Sequence, residues 1–242
     1  NTCTTLMEIQ AGVFPGEVAP LEEIALSHAD AEVLIIRSRM KVDLNFMNQF
    51  PMLKVIGRLG AGLENIDVHE AEQRGITCLR VPEGNARAVA EHALGMLLGL
   101  LNHLPRAHKQ IQQGHWLRES NKGRELQSLV VGVIGYGVMG SEFAKLLAAM
   151  GVRVLACDKY KSQYVHDGIE EVTLKTIQLQ ADVVCLHLPL NEETNGWVDE
   201  NFFSKFSKPI HFINTARGPI VKTSALIQAL DSGKVLSAAL DV

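Results

Sequence analysis

Short apolar runs alternate with amphipathic segments along the chain, and this alternation predicts an α/β fold with a mostly parallel sheet. The apolar runs have the length of buried strands rather than of buried helices. The predicted strands are residues 33–36, 54–57, 76–79, 129–134, 153–157, 183–188, 209–213 and 236–240.

The longest helical pattern follows a break of turn residues at 81–85. Its apolar positions are 89, 93, 96, 97, 100, 101 and 104, a helical spacing, and Pro105 is expected to end this helix. The predicted helix N-caps elsewhere are Asp43, Asp67 and either Thr223 or Ser224. The break at 81–85 separates two predicted domains, residues 1–81 and 82–242.

Composition then excludes several classes of partner. The 242 residues carry 23 basic and 27 acidic side chains, a net charge of -4, which gives no reason to expect nucleic acid or an anionic membrane. No apolar run approaches the roughly 20 residues of a membrane-spanning helix, so we expect a cytoplasmic protein. The four cysteines lack CxxC spacing, and no metal site is predicted.

One glycine motif indicates a phosphate-binding turn. Gly135, Gly137 and Gly140 follow the predicted strand 129–134 and open an amphipathic helix. In a dinucleotide site the first glycine permits the tight turn, the second lets the backbone approach the pyrophosphate, and the third lets the helix pack closely. The helix then directs its N-terminal amides at the phosphates. The alternative is a glycine-rich turn that binds nothing.

Asp158 supplies the second part of that site. It ends the next predicted strand, 18 residues after Gly140, near the spacing of the acidic residue in dinucleotide sites. Its carboxylate would accept hydrogen bonds from the adenosine ribose, and its charge would repel a 2′-phosphate. We therefore expect NAD rather than NADP as the cofactor, although the neighbouring Lys159 moderates that preference.

Arg217 is the candidate for substrate chemistry. It lies in the segment 214–221, NTARGPIV, directly after a predicted strand. At the carboxyl edge of an open α/β sheet, an arginine can hold a substrate carboxylate through two hydrogen bonds and polarise an adjoining carbonyl. A solvated arginine on a connecting loop explains the spacing equally well.

Taken together, these residues resemble the D-isomer-specific 2-hydroxyacid dehydrogenases over essentially the whole length of the chain. The motifs that carry the resemblance are GAGLENID (60–67), GNARAVAE (84–91), GYGVMG (135–140) with Asp158, NTARGPIV (214–221) and SAALDV (237–242). The resemblance implies a Rossmann-type doubly wound parallel sheet and a second, smaller flavodoxin-like α/β substrate domain. It also implies that the family's acid–base histidine and its partner glutamate follow Val242, leaving the substrate domain incomplete at its C-terminal end.

The resemblance also implies roles for individual residues, with Arg217 as the catalytic arginine. The implied substrate-binding residues are Arg37, Ser38, Arg39, Ala61, Gly62 and Asn85. The implied cofactor-binding residues are Val81, Gly135, Gly137, Val138, Met139, Gly140, Asp158, Leu188, Thr215 and Asp241. Plainer roles remain open: Arg37 and Arg39 as solvated charges, Asn85 as only a helix N-cap, and Asp241 as a strand-end carboxylate. His187 is interpreted as structural.

The expected activity is hydride transfer between NAD and C2 of a D-2-hydroxyacid. Within the family the chain is most similar to the members that act on 3-phosphoglycerate, because Arg37 and Arg39 supply charge for a phosphate. Reduction of glyoxylate or hydroxypyruvate is the nearer alternative, and a non-catalytic, NAD-sensing interaction protein is the remote one. The family also implies a small-molecule substrate as the partner and a homodimer formed through the NAD-binding domain.

Overall fold

The computed structural model describes residues 28–37, 40–164 and 167–242, so Ser38 and Arg39 lie outside the described residues. Backbone packing divides the chain into two units. The first runs through Leu59 and continues over Leu63–Arg80, and the second comprises Gly60–Gly62 and Val81–Val242. Each unit has a parallel sheet and an apolar core of its own.

The described residues of the first unit form a parallel sheet in the order β1-β2-β3 and two short helices. Its elements are β1 (Val33–Ile36), α1 (Leu44–Met47), β2 (Val55–Arg58), α2 (Val68–Gln73) and β3 (Thr77–Arg80). Asp43 and Asp67 cap the two helices as predicted, because their carboxylates accept the N–H groups of Phe46 and Glu70 at 3.1 and 3.0 Å.

The second unit is built on a parallel sheet whose six described strands have the order β6-β5-β4-β7-β8-β9. Its strands are β4 (Val130–Ile134), β5 (Arg153–Cys157), β6 (Ile169–Glu171), β7 (Val183–Leu186), β8 (Ile210–Asn214) and β9 (Val235–Leu240). Its helices are α3 (Glu83–Leu101), α4 (Leu104–Gln112), α5 (Val138–Ala149), α6 (Leu174–Gln180), α7 (Glu200–Ser204) and α8 (Thr223–Asp231). The strand order reverses direction between β4 and β7, which is the topological switch point of a doubly wound sheet.

Helices cover both faces of this sheet, so its central strands are buried on each side. In β7, Val183 and Cys185 pack into the core under α3 and α5, whereas Val184 and Leu186 face the core under α6, α7 and α8. All four are fully buried. This two-sided burial explains why the strand reads as a continuous apolar run in the sequence.

Every predicted strand is present, but three predictions about helix ends are wrong. Asn85 does not cap α3, because Pro82 occupies the N-cap position and Asn85 lies in the first turn. Pro105 does not end that helix; the backbone breaks at His103, which is left-handed with φ of 55°, and Pro105 instead lies in the first turn of α4, which begins at Leu104. Lys222 is the N-cap of α8, because its N–H bonds to Val198 and keeps it extended, so that Thr223 is already helical.

Candidate functional site

The turn between β4 and α5 has the close backbone approaches that its glycines predict. Gly135 has φ of +93°, and a Cβ there would lie 2.5 Å from the carbonyl oxygen of His187. A Cβ on Gly140 would collide with the carbonyl oxygen of Gly135. Both positions therefore require glycine for the fold of the turn itself.

Gly137 differs from its neighbours because nothing lies within 4 Å of the Cβ it lacks. It is the N-cap of α5, and Val138 and Met139 are the first two helical residues. Their N–H groups precede the first intrahelical hydrogen bond, which the Ser141 N–H donates to the Gly137 carbonyl at 2.9 Å. Open space before free amides at a helix N-terminus fits a pyrophosphate.

The Asp158 carboxylate lies beside this turn and is held by backbone donors. One oxygen accepts the Tyr136 N–H at 2.7 Å, and the other accepts the N–H groups of Tyr160 and Lys161 at 2.8 and 3.0 Å. The Tyr136 ring stacks on that of Tyr164 with centroids 4.1 Å apart. The carboxylate is therefore fixed in position while retaining lone pairs for further donors.

A cleft of about 560 Å3 opens at the switch point of the sheet, and part of the predicted cofactor set lies in it. The predicted residues outside its described lining are Val81, Val138, Met139, Gly140, Thr215 and Asp241. Gly135, Gly137, Asp158 and Leu188 all line it, together with residues of the loop that follows β7. Ligands bind at this position in open α/β sheets, outside the carboxyl ends of the strands. The donor set and the open space at Gly137 both fit a dinucleotide.

His187 also lines the cleft but has no acid–base partner in the described structure. Its Nε2 lies 3.1 Å from the Cys185 Sγ, and its ring is 5.3 Å from that of Phe143. Desolvation lowers the pKa of His187 to about 4. Burial likewise raises the pKa of the nearby Cys157 thiol to about 12, so both groups are neutral near pH 7.

The turn that carries Arg217 is organised by a residue that sequence reasoning missed as a functional one. The buried Asn214 side chain accepts the Ala216 N–H at 2.9 Å and donates to the Arg217 carbonyl at 3.0 Å. The Arg217 guanidinium donates to the Ala216 carbonyl at 2.5 Å. Asn214 thus fixes the backbone from which Arg217 extends, and its only sequence signal is a polar residue ending an apolar strand.

Thr215 and Asp241 lie at the same carboxyl edge of the sheet. The Thr215 Oγ1 is buried and has no hydrogen-bond partner among the described residues. The Asp241 N–H donates to the Asn214 carbonyl at 3.0 Å, and its carboxylate lies 3.2 Å from the Nε2 of His92. Val81 is half exposed, and its N–H meets the Gly60 carbonyl at 3.3 Å. The Thr215 hydroxyl is therefore available to a hydrogen-bond partner from outside the described residues.

The predicted substrate residues are distributed over both units. Arg37 is exposed after β1, and Asn65 donates to its carbonyl and to that of Met40 at 3.3 and 2.7 Å. Ala61 lies in a bend that Gly62 follows, and both belong to the second unit, whereas Asn85 is exposed on α3. Among the described residues, no cluster of three potential metal ligands occurs. No described helix is long and apolar enough to span a bilayer.

Comparison with known sequences identifies the family whose features this site shares. Residues 94–242 match the family described as D-isomer specific 2-hydroxyacid dehydrogenase, NAD binding domain. A D-3-phosphoglycerate dehydrogenase of Archaeoglobus fulgidus is 37% identical over 223 residues, which cover 91% of this chain and 42% of that protein. A hydroxypyruvate reductase of Thermotoga maritima is 37% identical over 213 residues, covering 88% and 69%.

The fold has the same relatives. A D-lactate dehydrogenase from Aquifex aeolicus, solved with NAD and lactic acid, superposes with a TM-score of 0.80 at 30% identity, covering 93% of this chain and 67% of that one. The predicted fold class, the family resemblance and NAD as the cofactor are thereby confirmed. The chain spans less than half the length of the phosphoglycerate dehydrogenase that it matches.

Proposed function

The chain belongs to the D-isomer-specific 2-hydroxyacid dehydrogenases, and from that premise we propose that it is an NAD-dependent oxidoreductase acting on a D-2-hydroxyacid or its 2-oxoacid. The observation that carries the proposal is the convergence of Gly135, Gly137 and Asp158 on one cleft at the switch point. NAD, when bound, supplies or accepts the hydride.

Each residue then has a physical task. The amides of Val138 and Met139 would hold the pyrophosphate, and Asp158 would accept hydrogen bonds from the adenosine ribose. The unpartnered Thr215 hydroxyl and the Asp241 carboxylate serve the nicotinamide side. Arg217, on the turn fixed by Asn214, would hold the substrate carboxylate and polarise the carbonyl that accepts hydride, and the family's acid–base histidine would supply the proton of the resulting hydroxyl.

The role of Arg217 is tested by two substitutions. Arg217→Ala removes the cation, and Arg217→Lys keeps the charge but loses the two-pronged guanidinium geometry. We expect kcat/KM for 2-oxoacid reduction to fall about 100-fold or more in Arg217→Ala and less in Arg217→Lys, while NADH affinity measured by calorimetry changes little. If Arg217→Ala oxidised NADH at the unaltered rate, the catalytic assignment would be wrong.

We propose 3-phosphoglycerate and 3-phosphohydroxypyruvate as the substrate pair, which places the reaction on the route to serine in the cytoplasm. The proposal rests on the cations at Arg37 and Arg39 and on the phosphoglycerate dehydrogenase relative. Hydroxypyruvate is the second candidate, favoured by the similarity to the Thermotoga maritima reductase.

Steady-state NADH oxidation with phosphohydroxypyruvate, hydroxypyruvate and glyoxylate separates these candidates. Arg39→Ala should lower kcat/KM for phosphohydroxypyruvate about 10- to 100-fold and change that for glyoxylate little, because only the former carries a phosphate. Lys41→Ala is the matched control, since Lys41 is exposed and lies 3.6 Å from Asp43. Equal losses with all three substrates would exclude the phosphate role.

We further propose a homodimer formed through the NAD-binding domain. Several large apolar side chains on α4 and the segment after it are exposed. They are Leu104, Ile111, Trp116 and Leu117. An exposed apolar patch of this kind suits a protein interface. Sedimentation of the wild type and of Trp116→Lys would test the proposal: a dimer that the charge dissociates supports it, and a wild-type monomer excludes it.

A further inference from the structure

A carboxylate from the loop after β7 engages the cation beside Asp158. The Lys159 Nζ lies 2.5 Å from the Oε2 of Glu193, and the Tyr160 hydroxyl donates to the same oxygen at 2.9 Å. Glu193, Lys159 and Tyr160 all line the cleft that contains Asp158. Lys159, which the sequence suggests as a partner for a 2′-phosphate, is therefore already paired.

Glu193 is presented from a well-held turn. The Thr194 N–H donates to the Asn191 Oδ1 at 3.0 Å, and the Asn191 N–H donates to the Thr194 Oγ1 at 2.9 Å. The same hydroxyl donates to the Pro189 carbonyl at 2.6 Å. Reciprocal hydrogen bonds of this kind fix the backbone at both ends of the turn and so direct Glu193 toward Lys159.

Among the charged side chains that line this part of the cleft, Asp158, Lys159 and Glu193 together carry a net negative charge. Asp158 is held by backbone N–H groups only, and Glu193 cancels Lys159. Hydrogen bonding to Lys159 lowers the pKa of Glu193, and the same contact raises the pKa of Lys159, so both groups are charged near pH 7. A phosphate on the adenosine ribose would thus meet one uncompensated carboxylate and no available cation in the described lining.

We infer that Glu193 is a specificity-determining residue: by pairing with Lys159 beside the ribose carboxylate Asp158, it makes the cleft reject NADP. The inference rests on the proposed binding of NAD in this cleft. Removing the charge of Glu193 has two effects in the same direction, because it releases Lys159 and deletes a repulsion. The pair is exposed to solvent, so its effect should be modest and should weaken as ionic strength rises.

The test measures dissociation constants of NADH and NADPH by titration calorimetry for the wild type and for Glu193→Gln. Glutamine keeps the size of the side chain and removes its charge. We expect the NADPH-to-NADH affinity ratio to rise about 3- to 10-fold at low salt and less at high salt. Lys159→Met in the Glu193→Gln background should remove the part of that gain that the released cation causes, and leave only the part due to the lost repulsion from Glu193.

Glu192→Gln is the matched control, because it removes the same charge from an adjacent exposed residue outside the cleft lining. Its affinity ratio should remain that of the wild type. An unchanged ratio in Glu193→Gln, or equal weakening of both dinucleotides, would overturn the inference while leaving NAD binding intact. A wild type that binds neither dinucleotide would instead overturn the proposed function, and the inference with it.

Discussion

Asp158 lies at the carboxyl edge and Asp182 at the amino edge of the parallel sheet of the second unit, and the two make an instructive pair. Asp182, just before β7, accepts the Val130 N–H at 2.9 Å and the Lys208 ammonium at 2.7 Å, and its side chain is 16% exposed. Asp158, just after β5, accepts only backbone N–H groups. Both carboxylates tie neighbouring segments together, but no cation of the described residues neutralises Asp158.

The difference separates a structural carboxylate from a ligand-binding one. A carboxylate that pairs with a cation of the protein has its charge balanced in the folded state. A carboxylate held only by neutral N–H donors is fixed in place but keeps an unbalanced charge that can interact with a ligand. The Asp182 carboxylate at the amino edge therefore has its charge balanced within the protein. At the carboxyl edge, the Asp158 carboxylate accepts only backbone N–H groups, and the Thr215 hydroxyl has no hydrogen-bond partner among the described residues.

The largest effect should come from the glycine turn, where the fold requires one glycine, Gly140, and another, Gly137, leaves space for a ligand. Gly140→Ala forces a Cβ into the Gly135 carbonyl, so we expect lower thermal stability and a loss of NADH affinity of about 100-fold or more. Gly137→Ala places its Cβ in open space, so we expect nearly wild-type thermal stability with NADH affinity reduced about 10-fold or more.

Thermal unfolding and calorimetric titration of both variants check this division between folding and binding. The wild type and Ala144→Gly, a change on the buried face of α5 away from the turn, provide reference values. If Gly137→Ala lost stability as severely as Gly140→Ala, the space in front of α5 would serve the fold rather than a ligand.

An intermediate effect should distinguish the two aspartates directly. Asp158→Asn should weaken NADH binding about 10- to 100-fold, because a hydrogen bond to a charged group contributes about 1.5–3 kcal/mol. Asp182→Asn should leave NADH affinity nearly unchanged and lower the free energy of unfolding by about 1–3 kcal/mol. Comparable losses of NADH affinity in both variants would contradict the assignment of Asp158 as a ligand-binding carboxylate and Asp182 as a structural one.

The smallest effect concerns acid stability. Burial raises the pKa of Asp182, but the hydrogen bonds from Lys208 and the Val130 N–H outweigh it, so the pKa is lowered overall. A carboxyl whose pKa is lower in the folded state contributes stability that is complete above its unfolded pKa, near 4, and is lost as the pH falls through the folded value.

The free-energy difference between the wild type and Asp182→Asn should therefore be largest near neutral pH and shrink below about pH 4. Chemical denaturation across that range measures it. A difference that grows on acidification would mean that Asp182 is stabilised in its protonated form, contrary to the contacts with Lys208 and the Val130 N–H.

Local features of this molecule could be predicted from the sequence because their causes lie within a few residues. The turn from β4 into α5 is specified by three glycines and an apolar strand, and Asp43 and Asp67 cap helices that begin directly after them. The strand β6 was missed because only Ile169 of its three residues is apolar and buried.

Contacts between distant segments could not be predicted in the same way. Glu193 meets Lys159 across 34 residues, and nothing in either local sequence marks the pairing. Asn85 was a plausible N-cap by residue type, yet the helix begins at Glu83, after Pro82 with its helical φ of -64°. Such features depend on how segments meet or on where the backbone first turns helical, which residue type alone does not determine.

The position of Trp197 gives the protein an intrinsic optical probe. Its ring lines the cleft and lies 5.1 Å from that of Phe202, whereas Trp116, the other tryptophan in the sequence, is 79% exposed. Indole emission overlaps the absorption band of a reduced nicotinamide, so excitation of Trp197 should sensitise the fluorescence of bound NADH. In Trp116→Phe the remaining emission would come from the cleft alone, and its quenching would report occupancy without any added label.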